Sequence, residues 1–329
     1  MAGASPRGIS VGASLGALGV RSRASGPSGT TPSVVAVGVF DGLHLGHLEI
    51  LEHALARARA LRVRCVVVSF DPHPDLVLAK AFQALPPLTP LPEKRERLGA
   101  LGIDALEVLP FTRELASLSP EAFVERHLVA RLAPLALVVG ANFALGKARA
   151  GNVPRLIEIG RALGFEVEAV PLRVVDGAPV SSTRIRELLG AGRVADAARL
   201  LGRPYRLSGV VVAGEAIGRT LGVPTANLRL HEEKLVPGNG IYAVRVRLPR
   251  EQGPRPGAMS IGVRPTFGGQ VRTLEVHVLD WCGELKGEDL EADFVDWLRP
   301  ELKFESPEAL RLAMESDLAE ARRRLASGV

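Results

Sequence analysis

The chain carries, close to its front, the stretch Val34-Val35-Ala36-Val37-Gly38-Val39-Phe40-Asp41-Gly42-Leu43-His44-Leu45-Gly46-His47. Residues 34–39 are mostly apolar and β-branched, which predicts a buried strand. Beyond the glycine-rich loop, apolar residues recur at helical spacing at Leu48, Leu51, Leu55 and Ala58. A strand, a glycine-rich loop and a helix in this order form the first unit of a parallel α/β sheet.

The alternation of strands and helices continues through the first part of the chain. Strands are predicted over residues 63–70, 105–109, 135–139 and 165–171, and helices over residues 93–100 and 153–163 and from Pro120 onward, with Ser119 as the N-cap. The uninterrupted run Val66-Val67-Val68 is typical of a parallel strand that helices cover on both faces. We therefore expect an α/β fold with a doubly wound parallel sheet in this part.

Beyond Tyr205 the pattern changes to short strands separated by glycine and proline. Strands are predicted over residues 207–212, 242–248, 258–261, 271–279 and 290–295, and a helix over residues 306–325 with apolar positions Leu310, Met314, Leu318 and Ala319. This spacing predicts a small antiparallel β-barrel with a closing helix. We expect one domain over residues 34–203 and a second over residues 204–329. Residues 1–33 lack acidic residues and are interpreted as a disordered extension rather than a targeting segment.

Composition and charge exclude several classes of protein. No apolar run approaches the roughly 18 residues that a membrane helix needs, so no membrane association is expected. The net charge of +5 comes from scattered arginines, which favours anionic small molecules over nucleic acid as partners and leaves protein partners unspecified. Cys65 and Cys282 lie in different halves and offer neither a disulfide framework nor a metal cluster, which favours a reducing cytoplasm.

The glycine-rich loop is a candidate anion site, because its glycines let backbone amides approach a ligand closely. His44 and His47 immediately precede the predicted helix, so both imidazoles and the helix amides can face one triphosphate. Two solvated histidines in a turn would explain the same residues, and zinc is less favoured because no further ligand has suitable spacing. The string His44-Leu45-Gly46-His47 resembles the His-x-Gly-His motif of a nucleotidyltransferase superfamily, whose members attach a nucleotide monophosphate to a phosphate-bearing acceptor.

Three more strings follow, two at the same edge of the predicted sheet and the third at the start of a helix. They are Ser69-Phe70-Asp71-Pro72-His73-Pro74, Gly140-Ala141-Asn142-Phe143-Ala144-Leu145-Gly146-Lys147 and Ser181-Ser182-Thr183-Arg184-Ile185-Arg186. The second is not a P-loop, because Ala148 stands where serine or threonine is required. In isolation the third would be an ordinary N-cap with exposed arginines. Together the strings resemble the adenylyltransferase module of the bacterial bifunctional riboflavin kinase/FMN adenylyltransferases, also called FAD synthetases.

A second candidate site lies in the predicted barrel, at Pro224-Thr225-Ala226-Asn227. On an extended backbone, the hydroxyl of Thr225 and the amide of Asn227 can bind one hard cation beside a nucleotide. Alternation along residues 271–279 puts Glu275 on a polar face, where it can accept a proton from an alcohol. A proline turn and a surface carboxylate would explain these residues as well. The strings at residues 218–228, 261–267 and 274–277 are similar to the riboflavin kinase module of the same family.

The resemblance implies specific roles for residues of both modules. In the first, it implies ATP binding by Gly38, Phe40, Asp41, His44, Gly46, His47, Ser182, Thr183 and Arg184, with His44 and His47 catalytic, and flavin binding by Pro72, Pro74 and Asn142. In the second, it implies ATP binding by Gly214, Gly218, Arg219, Gly222, Pro224, Thr225 and Asn227, Mg²⁺ at Thr225 and Asn227, and flavin binding by Glu275, Arg264 and Phe267, with Glu275 as the catalytic base. Leu285-Lys286-Gly287 departs from the family pattern, which usually has tyrosine before this glycine.

The resemblance implies two consecutive reactions. Riboflavin and ATP would give FMN, and FMN and a second ATP would give FAD and pyrophosphate. Two alternatives are a nucleotidyltransferase for another phosphate acceptor with an appended barrel, and a flavin-binding regulator without turnover. Thr225, Asn227 and Glu275 argue against the first, and the intact polar positions of both sites argue against the second.

Overall fold

A computed structural model describes residues 31–78, 86–214, 222–266 and 269–326, with the side chains of 264–266 and 269–271 left undescribed. The elements of its first part are β1 (Ser33–Val37), α1 (Leu45–Leu61), β2 (Arg64–Asp71), α2 (Pro74–Leu78), α3 (Leu91–Ala100), β3 (Ala105–Pro110), α4 (Arg113–Ser117), α5 (Pro120–Phe123), a π-helical turn (Val124–Val129), α6 (Ala130–Leu132), β4 (Pro134–Gly140), β5 (Ala144–Leu145), a 3-10 turn (Lys147–Arg149), β6 (Gly151–Asn152), α7 (Val153–Leu163), β7 (Glu166–Val170), β8 (Val174–Val175), β9 (Ala178–Pro179), α8 (Ser182–Gly190) and α9 (Val194–Leu201). Those of the second part are β10 (Tyr205–Val212), β11 (Ala226–Leu230), β12 (Gly240–Arg247), β13 (Arg255–Thr266), β14 (Gly269–Val278), β15 (Asp289–Arg299) and α10 (Pro307–Ala326). The predicted extension over residues 1–33 lies outside the described residues, except for its last three.

The predicted parallel sheet is confirmed, with strand order β3-β2-β1-β4-β7 and every pairing parallel. All residues of β1 are buried, because helices cover the sheet on both faces. The strand order reverses direction at β1, whose neighbours are β2 on one side and β4 on the other. Such a reversal opens a crevice outside the carboxyl ends of the strands, and the glycine-rich loop follows β1 at this crevice.

The predicted barrel is also confirmed, as a closed antiparallel barrel in the order β10-β11-β14-β13-β12-β15. Tyr242 and Phe294 are fully buried in its centre, with their rings edge to face at 5.1 Å. β11 was not predicted as a strand, although Thr225 and Asn227 were expected on an extended backbone. In α10, Leu318 and Ala321 face inward, whereas Ala319 is exposed, so the predicted apolar face was wrong at this one position.

The two parts share a hydrophobic core. Ile185 and Leu189 of α8 and Leu200 of α9 belong to the same buried cluster as Tyr242 and Phe294 of the barrel. α8 and α9 therefore connect the part of the chain that forms the parallel sheet to the barrel by apolar packing. The domain division at residue 203 stays a prediction.

Polar contacts reinforce this junction. Buried Lys234, in the loop between β11 and β12, pairs with Glu93 of α3, and its Nζ lies 4.9 Å from the centre of the Tyr205 ring. The amide of Leu235 donates to the carbonyl of Pro87 at 3.0 Å. Burial favours the neutral carboxyl of Glu93, but Lys234 and Arg97 outweigh it and lower the pKa of Glu93.

We expect Lys234→Met to destabilise the protein by about 3 kcal/mol, because it leaves the Glu93 carboxylate buried with only Arg97 as its partner. The double variant Lys234→Met/Glu93→Gln should recover at least half of that loss, since it removes both charges. Urea unfolding of the full chain measures both values. Equal destabilisation of the single and double variants would contradict this account of the junction.

Two candidate active sites

The first candidate site is a cavity of about 580 Å³ at the carboxyl ends of β1 and β4. Nine of the residues predicted for this site line it: Gly38, Phe40, His44, Gly46, His47, Pro74, Asn142, Ser182 and Thr183. They come from the loop after β1, the start of α2, the segment after β4 and the start of α8. The crevice that the strand order creates therefore collects side chains from four separate strings of the sequence.

His44 is the N-cap of α1, and its Nδ1 accepts a hydrogen bond from the His47 amide at 3.3 Å. In the neutral imidazole the proton must then sit on Nε2, which makes Nε2 a donor. The His44 and His47 rings stack with their centroids 3.6 Å apart. Burial lowers the pKa of His44 to about 4, although Asp41 opposes the shift, and burial also lowers the pKa of His47 well below 6.5.

Both imidazoles are therefore neutral at physiological pH in the free protein, and they act as hydrogen-bonding groups rather than cations. The buried Nδ1 of His47 has no hydrogen-bond partner within the part of the chain that the structure describes. Such an atom needs a ligand or a water as a partner. A cavity with imidazoles and helix amides at one end suits an anion such as a triphosphate.

Three residues predicted for the first site lie outside the cavity lining: Asp41, Pro72 and Arg184. Asp41 is 2% exposed, and its carboxylate accepts from the amides of Leu88 at 3.2 Å and Thr89 at 3.0 Å and from Arg186 at 2.5 Å. Its place is behind the loop, where it fixes the loop to the rest of the structure. Arg184 is held by the backbone, since its Nη1 donates to the carbonyls of Val175 and Ala178.

Sequence reasoning missed residues at the first site whose signal was present. His73 lines the cavity between the predicted Pro72 and Pro74, within a quoted string. Arg186 stands in the Ser181 string and provides the charged partner of Asp41. Ser182 is bound to the loop as well, because its Oγ donates to the carbonyl of Asp41 at 2.8 Å. The start of α8 and the loop after β1 are thus one rigid unit.

The second candidate site is a cavity of about 310 Å³ between the barrel and α10. Thr225 and Glu275 both line it, and the Thr225 hydroxyl donates to Oε2 of Glu275 at 3.0 Å. Asn227 lies directly opposite Glu275 in the pairing of β11 with β14. The structure therefore brings together the hydroxyl, the amide and the carboxylate that the sequence placed 50 residues apart.

Two neighbours hold this group in place. A ring nitrogen of His277, Nδ1, donates to the carbonyl of Pro224 at 2.7 Å, which ties the segment before β11 to β14. The backbone of Gly214 packs against the side chain of Asn227, since a Cβ at residue 214 would lie 1.9 Å from Asn227 Nδ2. Gly222 adopts a φ of 80°, in the left-handed region that favours glycine. These contacts explain why Gly214, Gly222 and Pro224 accompany the site.

The remaining predicted residues of the second site fall beyond what the structure describes. Gly218, Arg219 and Phe267 lie outside the described residues, and Arg264 is described only as backbone of β13. Sequence reasoning missed Arg299 and Asp317, which form a bidentate ion pair at 2.7 Å across the wall of this cavity. A carboxylate among the apolar positions of the closing helix was the available signal for Asp317.

Two further observations concern metals and membranes. Within the described residues, no cluster of three or more His, Cys, Asp or Glu side chains has the arrangement of a metal site. No helix among those residues is long and apolar enough to cross a lipid bilayer.

The chain matches known families and proteins along most of its length. A family model described as FAD synthetase matches residues 27–184, and one described as riboflavin kinase matches residues 201–325. The bifunctional riboflavin kinase/FMN adenylyltransferases of Listeria monocytogenes and Pseudomonas fluorescens are 38% and 40% identical over 290 residues, which is 88% of this chain and 91% and 92% of theirs. A crystal structure from Streptococcus pneumoniae, described as a macrolide-efflux protein, has a TM-score of 0.82 at 31% identity and covers 89% of this chain and 95% of that one.

We expect the free protein to lose stability on acidification because of His44. The unfolded chain binds a proton on this histidine near pH 6.5, whereas the folded chain resists protonation until about pH 4. Acid therefore favours unfolding between these values, by about 2 kcal/mol between pH 8 and pH 5. His44→Asn keeps an N-cap acceptor and should remove this part of the pH dependence. Urea unfolding at both pH values measures it, and identical pH dependence of the two proteins would contradict the burial of a neutral imidazole.

Proposed function

The chain belongs to the family of bacterial bifunctional riboflavin kinases/FMN adenylyltransferases, and from this membership we propose that its two cavities divide the family's two reactions between them. The enzyme phosphorylates riboflavin with ATP to give FMN and then joins FMN to the AMP part of a second ATP, which yields FAD and pyrophosphate. The two family models match both halves of the chain. This membership argues against the two alternatives considered from sequence, a transferase for another acceptor and a regulator without turnover.

The barrel cavity is the proposed site of phosphoryl transfer to riboflavin. The observation that carries this assignment is the 3.0 Å hydrogen bond between Thr225 and Glu275, with Asn227 opposite Glu275 on the neighbouring strand. The nucleophile in this reaction is a neutral alcohol of the ribityl chain, so a base within hydrogen-bonding distance accelerates its attack. Glu275 is the proposed base, and Thr225 and Asn227 lie where they can align the phosphates of ATP.

The donor set at this site fits Mg²⁺. The Thr225 hydroxyl directs its proton at Glu275, so the lone pairs of its oxygen point elsewhere and are available to a cation. The side-chain oxygen of Asn227, two residues further along the chain, is a second hard ligand, and phosphate oxygens would complete the shell. When bound, Mg²⁺ would neutralise charge on the phosphates of ATP. Glu275, Thr225 and Asn227 themselves orient the alcohol and the nucleotide.

The cavity of the parallel sheet is the proposed site of adenylyl transfer. The phosphate of FMN is already an anionic nucleophile, so this step needs alignment and charge stabilisation rather than a base. Nε2 of His44, the unpartnered Nδ1 of His47 and the first amides of α1 and α8 supply hydrogen bonds for the triphosphate. Pro74 and Asn142 lie on the walls of the same cavity and are the proposed contacts of the flavin.

The setting of the enzyme follows from its chemistry. Its proposed partners are small molecules, which the net charge of +5 suits because ATP, FMN and FAD are anions. Cys65 and Cys282 are both free thiols, which supports a proposed location in the reducing cytoplasm.

We expect Glu275→Gln to reduce FMN formation from riboflavin about 100-fold or more, because it removes the base. The same variant should convert supplied FMN to FAD at the normal rate. His47→Ala should show the opposite pattern, with FMN made normally and FAD synthesis lowered about 100-fold. Chromatography of both products measures the two rates in one assay. Loss of both reactions in either variant would contradict separate sites.

We expect Thr225→Val to raise the Mg²⁺ concentration for half-maximal FMN formation at least tenfold, because valine keeps the shape of threonine and removes the oxygen ligand. Thr225→Ser retains the hydroxyl and should stay near the unmodified enzyme. A titration of riboflavin phosphorylation with Mg²⁺ measures the shift. An unchanged Mg²⁺ requirement in Thr225→Val would remove Thr225 from the metal site.

A further inference from the structure

A buried lysine with no assigned role in either proposed reaction lies beneath the loop after β1. Lys94, in the first turn of α3, is only 6% exposed. Its Nζ donates to the carbonyl of Val39 at 2.8 Å and lies 3.3 Å from Oγ of Ser69. Ser69 donates to the same carbonyl at 3.0 Å. Two donors from two elements thus converge on one peptide group of the loop.

The charge of Lys94 has no directly paired carboxylate. No carboxylate oxygen of the described residues lies within 4 Å of its Nζ, whereas the other buried lysine, Lys234, is paired with Glu93. Asp41 and Asp71 act on Lys94 only from a longer distance. Burial lowers the pKa of Lys94, and an anion bound in the neighbouring cavity would favour its charged form.

The bound carbonyl fixes the direction of the peptide that follows it. The peptide bond between Val39 and Phe40 is trans, so its N–H points away from its C=O. Because the carbonyl is turned towards Lys94, the amide of Phe40 is turned the other way, and Gly38, Val39 and Phe40 all line the cavity. Phe40 has a φ of 50°, a conformation unusual for a residue with a side chain, and such a residue needs surrounding contacts to hold it.

The electrostatics of the cavity also indicate a role for the charge of Lys94. Both histidines are neutral in the free enzyme, because burial lowers the pKa of each. Arg173 and Arg149 also line the cavity, but Arg173 is half exposed and paired with Glu49 and Arg149 is exposed, so solvent and salt screen both charges. Lys94 also acts on His47 through its charge, which places the two groups within electrostatic reach of each other. A buried charge is screened far less than an exposed one.

We propose that Lys94 is a positioning residue for adenylyl transfer, which holds the Val39–Phe40 peptide with its N–H towards the triphosphate and places a buried positive charge behind it. The inference rests on the proposed assignment of adenylyl transfer to this cavity. No bond to Lys94 forms or breaks in the reaction. Its effect should therefore fall on the binding and alignment of the polyphosphate, and to a smaller degree on the flavin.

The test uses the reverse reaction, in which FAD and pyrophosphate give FMN and ATP, because pyrophosphate alone probes the anion end of the cavity. Lys94→Met should raise the KM for pyrophosphate at least tenfold, while the KM for FAD changes less than threefold. Lys94→Arg restores the charge and should recover most of the affinity. Ser69→Ala removes the second donor without removing charge. Its KM for pyrophosphate should lie between those of the unmodified enzyme and Lys94→Met.

Two controls separate this role from simple loss of structure. FMN formation in the barrel of the same full-length molecule reports folding, and it should stay normal in every Lys94 variant. Lys234→Met removes an equally buried lysine at the junction, and it should lower stability without selectively raising the KM for pyrophosphate. If Lys94→Met fails to fold, Lys94→Gln keeps a donor without the charge and is measured in the same way.

An unchanged KM for pyrophosphate in folded Lys94→Met or Lys94→Gln would overturn the inference. So would equal changes in both KM values that Lys94→Arg does not rescue, since that is the pattern of a structural residue. A different result would contradict the proposed function itself. In that case His47→Ala would still make FAD from FMN at the normal rate. An effect of His47→Ala together with a normal Lys94→Met would refute only the role of Lys94.

Discussion

The buried carboxylate of Asp41 is the contact that fixes the loop after β1 to the rest of the structure. It follows the strained turn after β1 directly and accepts hydrogen bonds from two backbone amides and from Arg186 of α8. One of those amides belongs to Leu88, whose side chain packs in the core that α8, α9 and the barrel share. The position of the nucleotide loop is therefore set by residues far from it in sequence, and a carboxylate with three donors is well suited to fix it.

In the proposed assignment, the two cavities differ in the way that their two nucleophiles require. An alcohol must lose a proton, and the barrel presents a carboxylate beside a hydroxyl on neighbouring strands. A phosphate monoester is already charged, and the sheet presents neutral imidazoles, helix amides and a buried ammonium group instead. The parallel sheet supplies helix N-termini at one edge, whereas antiparallel strands bring side chains directly opposite each other. Each type of sheet thus provides the groups that its proposed reaction needs.

Much of this arrangement was predictable from sequence, because strong periodicity and local strings carry it. The helix over residues 153–163 was predicted at its observed bounds, and both motif regions fall where the sheet and barrel place their cavities. Strand β11 was missed because its apolar alternation is short and follows a proline turn. Long-range packing decides which side of a loop a polar residue faces. For that reason the sequence did not show that the side chains of Asp41 and Arg184, expected to contact ATP, bond to backbone groups, and Lys94 was not noticed within a charged helix.

The common core of α8, α9 and the barrel has a consequence for metabolism. Every folded molecule carries one cavity of each kind, so the cell makes both catalysts in equal numbers whatever its rate of synthesis of the protein. The balance between the mononucleotide and dinucleotide forms that this protein produces is then not set by the number of each cavity. It depends on how fast each pocket turns over and how strongly each holds its product.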